Sequence, residues 1–390
     1  MNETTGRAKR MLGAETRLTR RAVVGGAAAG GLALSISGVT RSVAAQDASP
    51  AVGGEEIKVA FVYVGPIGDL GWTYAHDQGR KELEKNLPNV KTVYQENVPE
   101  NPADSERVIR DFAQKGNKIV VTTSFGYMDP TINVAKDFPE TIFIHISGYK
   151  TAKNVGTGFG KIEEPRYVSG LIAGKMTKAG QLGYVAAFPI PEVIRGINAF
   201  TLGVRKSKPD ATVKVVWTNT WYDPQKERQA AEALLDGGAD VIAQHQDTAG
   251  PQQAAEARGV YSVGYDADMS PLAPKAVLTS PIWHWGVFYT QTVKEVLAGT
   301  WKSGQYWGGW KDGVVDLAPI GPMVPDDVRQ MAEGEIAKFK SGEEDEFTVF
   351  AGPLKDQTGK ERVAAGTAMK AEDILGMNWF VEGVQGEIPS

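Results

Sequence analysis

Lys58-Val-Ala-Phe-Val-Tyr-Val64 runs directly into Gly65-Pro-Ile-Gly-Asp-Leu-Gly-Trp72. The first run is short, β-branched and aromatic, the profile of a buried parallel strand. The second is a Gly/Pro-rich turn ending on an indole. Thr73 to Leu87 then reads as a helix, with Tyr74, Leu83 and Leu87 among its apolar positions. Strand, loop and helix make the first unit of an open α/β sheet, and such sheets bind ligands outside the carboxyl ends of their strands. This loop lies at such an end and carries Asp69 and Trp72.

The same unit recurs along the chain. Val90–Tyr94, Lys118–Thr123, Thr141–Ile146 and Val155–Phe159 read as strands, with helices opening near Glu100 and Asp129. Near Lys161 the pattern restarts. Tyr167–Met176 is a helix with small residues suited to close packing. Strands at Gln181–Ala187, Val213–Thr218, Asp240–Ala243, Val260–Gly264 and Ala276–Ser280 alternate with helices at Val193–Arg205 and Gln225–Asp236. Alternation of this kind predicts parallel, doubly wound sheets. The two halves repeat an architecture and not a sequence. A helix over Trp283–Leu297, the Trp-rich Trp301–Trp310, a short strand near Val314–Leu317 and a helix over Pro325–Lys340 follow. Ser341–Glu346 reads as an exposed acidic turn, and Trp307-Gly-Gly-Trp310 as packing beside a hinge.

At 390 residues, 42% hydrophobic and 23% charged, the chain is long enough for two ordinary globular domains. A net charge of −5 gives no reason to expect nucleic-acid binding. The N-terminus departs from this average. Arg7, Lys9, Arg10, Arg17, Arg20 and Arg21 precede an apolar Val23–Gly38, and Val43-Ala-Ala45 offers a cleavage site before Gln46. Residues 1–45 thus read as a signal peptide, and Thr19-Arg-Arg-Ala-Val-Val24 resembles a twin-arginine signal. Its removal leaves a clearly acidic chain. Residues 46–56 read as a linker. With no cysteine, neither a disulfide nor a lipid-bearing N-terminal thiol is available.

The strand ends collect Asp69, Trp72, Ser124, Phe125, Tyr127 and Asp129 in the first half. The second half gives Phe188, Trp221, Tyr222, Asp223, Asp247, Thr248, Asp266 and Asp268. Aromatics recurring in turns either pack or bind. Stacking on a planar base and acceptance from its N–H groups suit a flat, nitrogen-rich, uncharged ligand. Enzyme chemistry has less support. The four histidines lack metal-ligand spacing, and His245 reads as a polar loop residue. Gly65-x-x-Gly68-x-x-Gly71 lacks the order of a dinucleotide fingerprint and the lysine of a P-loop. No cofactor is expected.

Five stretches resemble the basic membrane protein family of ABC-transporter substrate-binding proteins, relatives of the purine nucleoside receptors. They are Gly68-Asp-Leu-Gly-Trp-Thr73, Ser124-Phe-Gly-Tyr127, Thr220-Trp-Tyr-Asp-Pro224, Gly238-Ala-Asp-Val-Ile242 leading to Asp247, and Gly264-Tyr-Asp-Ala-Asp268. The resemblance implies a type I periplasmic-binding fold, with two doubly wound lobes joined by a three-strand hinge. Lobe 1 is expected over 57–160 and 282–318, and lobe 2 over 161–281 and 319–390. It implies that Trp72 and Trp221 take the places of two phenylalanines that sandwich the base. Asp69, Ser124, Phe125, Tyr127, Phe188, Asp247 and Asp266 would complete the ligand site. The Asp-Lys-Ser-Phe-Asn segment of relatives is Asp-Leu-Gly-Trp-Thr here, and the larger aromatics narrow the cleft. Both favour a free base, adenine or an oxopurine, over a nucleoside. The implied protein is an exported, monomeric, non-enzymatic receptor in the periplasm or at the cell surface, soluble or anchored by an uncleaved leader, serving an ABC permease. A sugar receptor of the same fold is the alternative, though sugar sites usually place Arg and Asn in these loops and only Arg195 lies near one. An exported nucleoside hydrolase would need metal-holding carboxylates, for which Asp266 and Asp268 are too few.

Overall fold

A computed structural model describes residues 56–389 apart from Asp69. The expected signal peptide, most of the linker and Asp69 therefore lie outside the described residues.

Two six-stranded, all-parallel sheets form the framework. The first half supplies β1 (Ile57–Val62), α1 (Trp72–Asn86), β2 (Val90–Gln95), α2 (Pro102–Gln114), β3 (Ile119–Thr122), α3 (Met128–Ala135), β4 (Ile142–Ile146) and β5 (Val155–Gly160). The second supplies α4 (Glu163–Met176), β6 (Gln181–Ala186), α5 (Pro191–Ser207), β7 (Thr212–Trp217), α6 (Pro224–Asp236), β8 (Val241–His245), α7 (Gly250–Ala257), β9 (Tyr261–Val263) and β10 (Val277–Thr279). Strands β3, β5, β8 and β10 are buried along their whole length, which parallel sheets covered on both faces require.

After β10 the chain returns through β11 (Pro281–Trp283) and α8 (Trp285–Leu297) to β12 (Gln305–Gly308), which pairs with β5 at the edge of the first sheet. It leaves again through β13 (Val315–Leu317), antiparallel to β11, into α9 (Asp326–Ser341). The tail adds α10 (Glu346–Val349), the hairpin of β14 (Leu354–Lys355) and β15 (Glu361–Val363), α11 (Ala371–Leu375) and β16 (Val384–Gln385). The first sheet is ordered β12-β5-β4-β3-β1-β2 and the second β10-β9-β8-β6-β7-β16. Including the link from β5 to α4, the chain passes between the sheets three times.

Local chemistry explains the starts of α2 and α6. Asn101 accepts from the Asp104 amide and Asp223 from the Lys226 amide, each followed by a proline suited to a helix start. The small residues of α4 serve close packing, as their sequence predicts. A Cβ on Gly170 would stand 2.1 Å from the Phe200 carbonyl oxygen of α5. Two expectations need correction. Helix α7 is absent from the sequence reading, because Gly250-Pro-Gln-Gln-Ala-Ala-Glu-Ala257 has small and polar residues where an apolar stripe announces a helix. Glu346 is not exposed: it is buried at the start of α10 with Lys161 Nζ at 2.9 Å.

Candidate functional site

A cavity lies where the carboxyl ends of the two sheets face each other. Val64 and Trp72 reach it from the loop after β1, Ser124 from the end of β3 and Ser147 from the end of β4. The second sheet contributes Glu192 at the start of α5, Trp221 after β7, His245 and Asp247 at the end of β8, and Tyr265 and Asp266 after β9. Its empty volume is about 340 Å³, part of it open to solvent. The walls stand close together. A Cβ on Gly71 would lie 2.3 Å from the Asp247 carbonyl oxygen, so only glycine lets these loops meet. Ser147 (φ 71°) and Asp266 (φ 67°) hold left-handed backbone in this wall, and Leu70 (φ 63°) and Asn219 (φ 54°) do so beside it. Such conformations are costly for non-glycine residues and cluster at binding sites.

Trp72 opens α1 and is only 9% exposed. Its Nε1 donates to the Thr123 carbonyl, and its ring meets His76 edge-on at 4.4 Å and both Trp283 and Trp285 at 5.6 Å. It is thus both cavity wall and core. Trp221 is half-buried. Phe188 braces it edge-to-face at 4.9 Å, and its Nε1 donates to Glu100 Oε2 at 3.1 Å. Glu100, in the loop before α2, also accepts from Ser124 Oγ at 2.5 Å and the Gly126 amide at 2.8 Å. One carboxylate therefore links the two sides of the cleft.

The polar wall is dominated by acceptors. Glu192, Asp247 and Asp266 line the cavity, and among the described residues no lysine or arginine does. Asp266 Oδ1 accepts from Trp283 Nε1 at 2.7 Å, tying the wall to β11. Asp268 instead receives the Ser270 amide at 2.9 Å, so the two neighbouring carboxylates do separate work. Behind Asp247, buried Glu227 accepts from the Thr248 amide at 3.0 Å and its hydroxyl at 2.5 Å, and from the Asp223 amide at 3.0 Å. It holds the Trp221 and Asp247 loops in one frame, and its burial raises its pKa.

His245 stands with Nε2 3.5 Å from Glu192 Oε1 and its ring 4.6 Å from that of Tyr265. Burial above all pulls its pKa down to about 4, with Arg166 and Arg195 adding to the effect against the pull of Glu192, so the imidazole is neutral at physiological pH. Arg195 forms a buried ion pair with Glu163.

Of the residues the sequence selects, Trp72, Ser124, Trp221, Asp247 and Asp266 come together in the cavity wall. Three do not line it. Tyr127 is fully buried and donates to the Val98 carbonyl within the core of the first sheet. Phe188 supports Trp221 from behind. Phe125 lines an adjoining groove with Tyr149, Tyr306 and Trp307. Ser147, Glu192, His245 and Tyr265 are wall residues that the sequence reading does not select. His245 and Tyr265 sit beside selected aspartates, and Glu192 carries no signal beyond that of a helix first turn.

The two-sheet plan with a cleft at the strand ends is that of a type I periplasmic-binding protein. Solved solute-binding proteins of ABC transporter systems share it. One is from Conexibacter woesei (TM-score 0.61, 24% identity, covering 75% of this chain and 99% of that one), another from Aeropyrum pernix (0.65, 21%, 82% and 95%). Residues 56–357 match the family described as Bmp, ABC transporter substrate-binding protein PnrA-like, and the chain belongs to this family. It is 49% identical over 86% of its length to a purine-binding protein of Brucella abortus, covering 95% of that protein. It is 42% identical, over 86% of its length and 82% of the other's, to a Haloferax volcanii protein named for glucose binding in an ABC transporter.

Proposed function

We propose that this chain is the extracytoplasmic receptor of an ABC importer for a purine-type ligand, a free base in preference to a nucleoside. The observation that carries this reading is a narrow cavity with indoles at Trp72 and Trp221, carboxylates at Glu192, Asp247 and Asp266, and no lining lysine or arginine among the described residues. A flat heterocycle stacks on such walls, and its ring N–H and amino groups donate to them. The 49% identical purine-binding relative supports the same ligand class. The protein performs no chemistry. The lobes, over 57–160 with 282–318 and over 161–281 with 319–390, close by a hinge, and the closed form docks on a membrane permease as a monomer. Residues 1–45 direct export. Among the described residues no helix is long and apolar enough to cross a membrane.

A sugar ligand is the second reading, favoured by the Haloferax relative. The engagement of Arg195 by Glu163 weighs against it, because the arginine near these loops is already committed. Calorimetry with adenine, hypoxanthine, guanine, adenosine, glucose and ribose separates the two. Saturable binding of a base with weaker or no binding of sugars is expected. Tight binding of glucose or ribose alone would overturn the purine reading.

A further inference from the structure

A second polar site lies behind the cavity wall. Gly196, in α5, faces three polar atoms: a Cβ on it would stand 3.6 Å from Arg166 Nε, 3.8 Å from His245 Nδ1 and 3.9 Å from Tyr184 Oη. None of these three atoms has a hydrogen-bond partner among the described residues, and all three are shut off from solvent. Arg166 and Tyr184 are fully buried and His245 is 4% exposed. Other contacts fix the three groups. Arg166 donates from Nη1 to the Gln244 carbonyl at 2.6 Å and lies 3.7 Å over the Tyr265 ring, and His245 Nε2 faces Glu192. Buried polar atoms are almost always paired, and one buried water typically serves two to four of them.

We propose that a water molecule beside Gly196 bridges Arg166 Nε, Tyr184 Oη and His245 Nδ1, and together with Glu192 at Nε2 fixes His245 as the tautomer protonated at Nε2. Arg166 and Glu192 set the directions of the bonds. A guanidinium Nε–H can only donate, so the water accepts from it. Glu192 Oε1, 3.5 Å from His245 Nε2, favours the imidazole proton there, which leaves Nδ1 bare to accept a hydrogen from the water. Tyr184 completes the shell. The imidazole proton is left on Nε2, facing Glu192 and the cavity. His245 thereby supplies an N–H donor in a wall otherwise dominated by carboxylates, and selects ligands with an acceptor, a ring nitrogen or an oxo group, beside their donors. That last consequence rests on the reading of the cavity as a purine site; the water and the tautomer do not.

Both are read on the unliganded protein. Long-range ¹H–¹⁵N correlation of the imidazoles should show His245 protonated at Nε2 and bare at Nδ1, and a high-resolution crystal structure should show an ordered water within hydrogen-bond reach of all three atoms. Gly196→Ala sharpens the test. A methyl group there meets its neighbours at ordinary contact distances, and glycine to alanine inside a helix normally stabilises. Here the methyl displaces the water and strands three polar atoms, so the melting temperature should fall and the two His245 tautomers should mix. A His245 protonated at Nδ1 in the wild type, or a Gly196→Ala protein that is more stable with an unchanged tautomer, overturns the proposal. Failure of every purine to bind would instead overturn the functional reading and leave the water site standing.

Discussion

Trp221 Nε1 and Glu100 Oε2 lie 3.1 Å apart across the cleft, one from the loop after β7 and the other from the loop before α2. Because Glu100 also holds Ser124 and Gly126, the bond is braced on the first side before it reaches the second. In Glu100→Gln one amide oxygen can keep the Ser124 and Gly126 contacts, while the NH₂ group opposes the indole N–H. Loss of this one bond is worth roughly 1 kcal/mol, about a fivefold weakening of ligand binding. X-ray scattering of the free variant should give a larger radius of gyration than the wild type, with a melting temperature little changed. An equally compact variant would show that the contact does not hold the cleft.

The two indoles of the cavity should respond differently to truncation. Trp221 is half-buried, with Phe188 behind it and Glu100 at its Nε1, so Trp221→Ala should cost about 1–3 kcal/mol of binding with a small change in stability. Trp72 packs on His76, Trp283 and Trp285, so Trp72→Ala should cost about 3–5 kcal/mol of stability as well as binding. Paired calorimetry and thermal melts test this. Equal melting temperatures for the two variants would contradict the burial of Trp72.

Asp247→Asn removes an acceptor and leaves the backbone that packs on Gly71 untouched. Binding of bases that present a ring N–H or amino group should weaken about tenfold or more, and ligands without such donors should be spared. A uniform loss across both sets would mean that the side chain shapes the loop and does not read the ligand.

Protonation of the buried imidazoles opposes folding. The His245 pKa is depressed to about 4 and that of His145 to about 3, both by burial, against an ordinary value near 6.5. Their contribution to stability is complete above pH 6.5 and is lost as pH falls towards 4 and then 3. Glu164 works in the opposite sense. Burial raises it to about 8 although its carboxylate accepts from the Trp310 amide, so its contribution is complete below about pH 4.5 and is lost as pH rises through 8. Gln in its place keeps an acceptor without a charge. The stability gained by Glu164→Gln over the wild type should therefore grow from pH 5 to pH 8 and level off above it. A gap that shrinks over this range would reverse the sign argued here.

The strands were legible because each sheet interior demands uninterrupted apolar runs, as in Ile119-Val-Val-Thr122 and Val241-Ile-Ala243, whereas Gln244 and His245, which complete β8, read as the start of a loop because they are polar. The chemistry at their ends was half legible. Trp221 and Asp247 stand out as residues that a loop has no local reason to carry. Glu100 and Glu227 do not, since an acid near a helix start is ordinary and their partners are 121 and 21 positions away. Trp72 reads as a loop aromatic because nothing in its neighbourhood predicts that Trp283 and Trp285, brought back by β11 and α8, close over it.

Those two indoles have a consequence for observing the protein. Trp283, on a strand that passes between the sheets, and Trp285, at the start of α8, lie with ring centroids 4.8 Å apart and planes 20° from parallel. At that separation their electronic transitions couple, and the sign and size of the resulting near-ultraviolet circular dichroism depend on the angle between the two rings. In the hinge motion proposed above, a rotation that turned one of these rings against the other would change that angle. The pair would then serve as an intrinsic optical goniometer of that motion, readable without a dye or an engineered label.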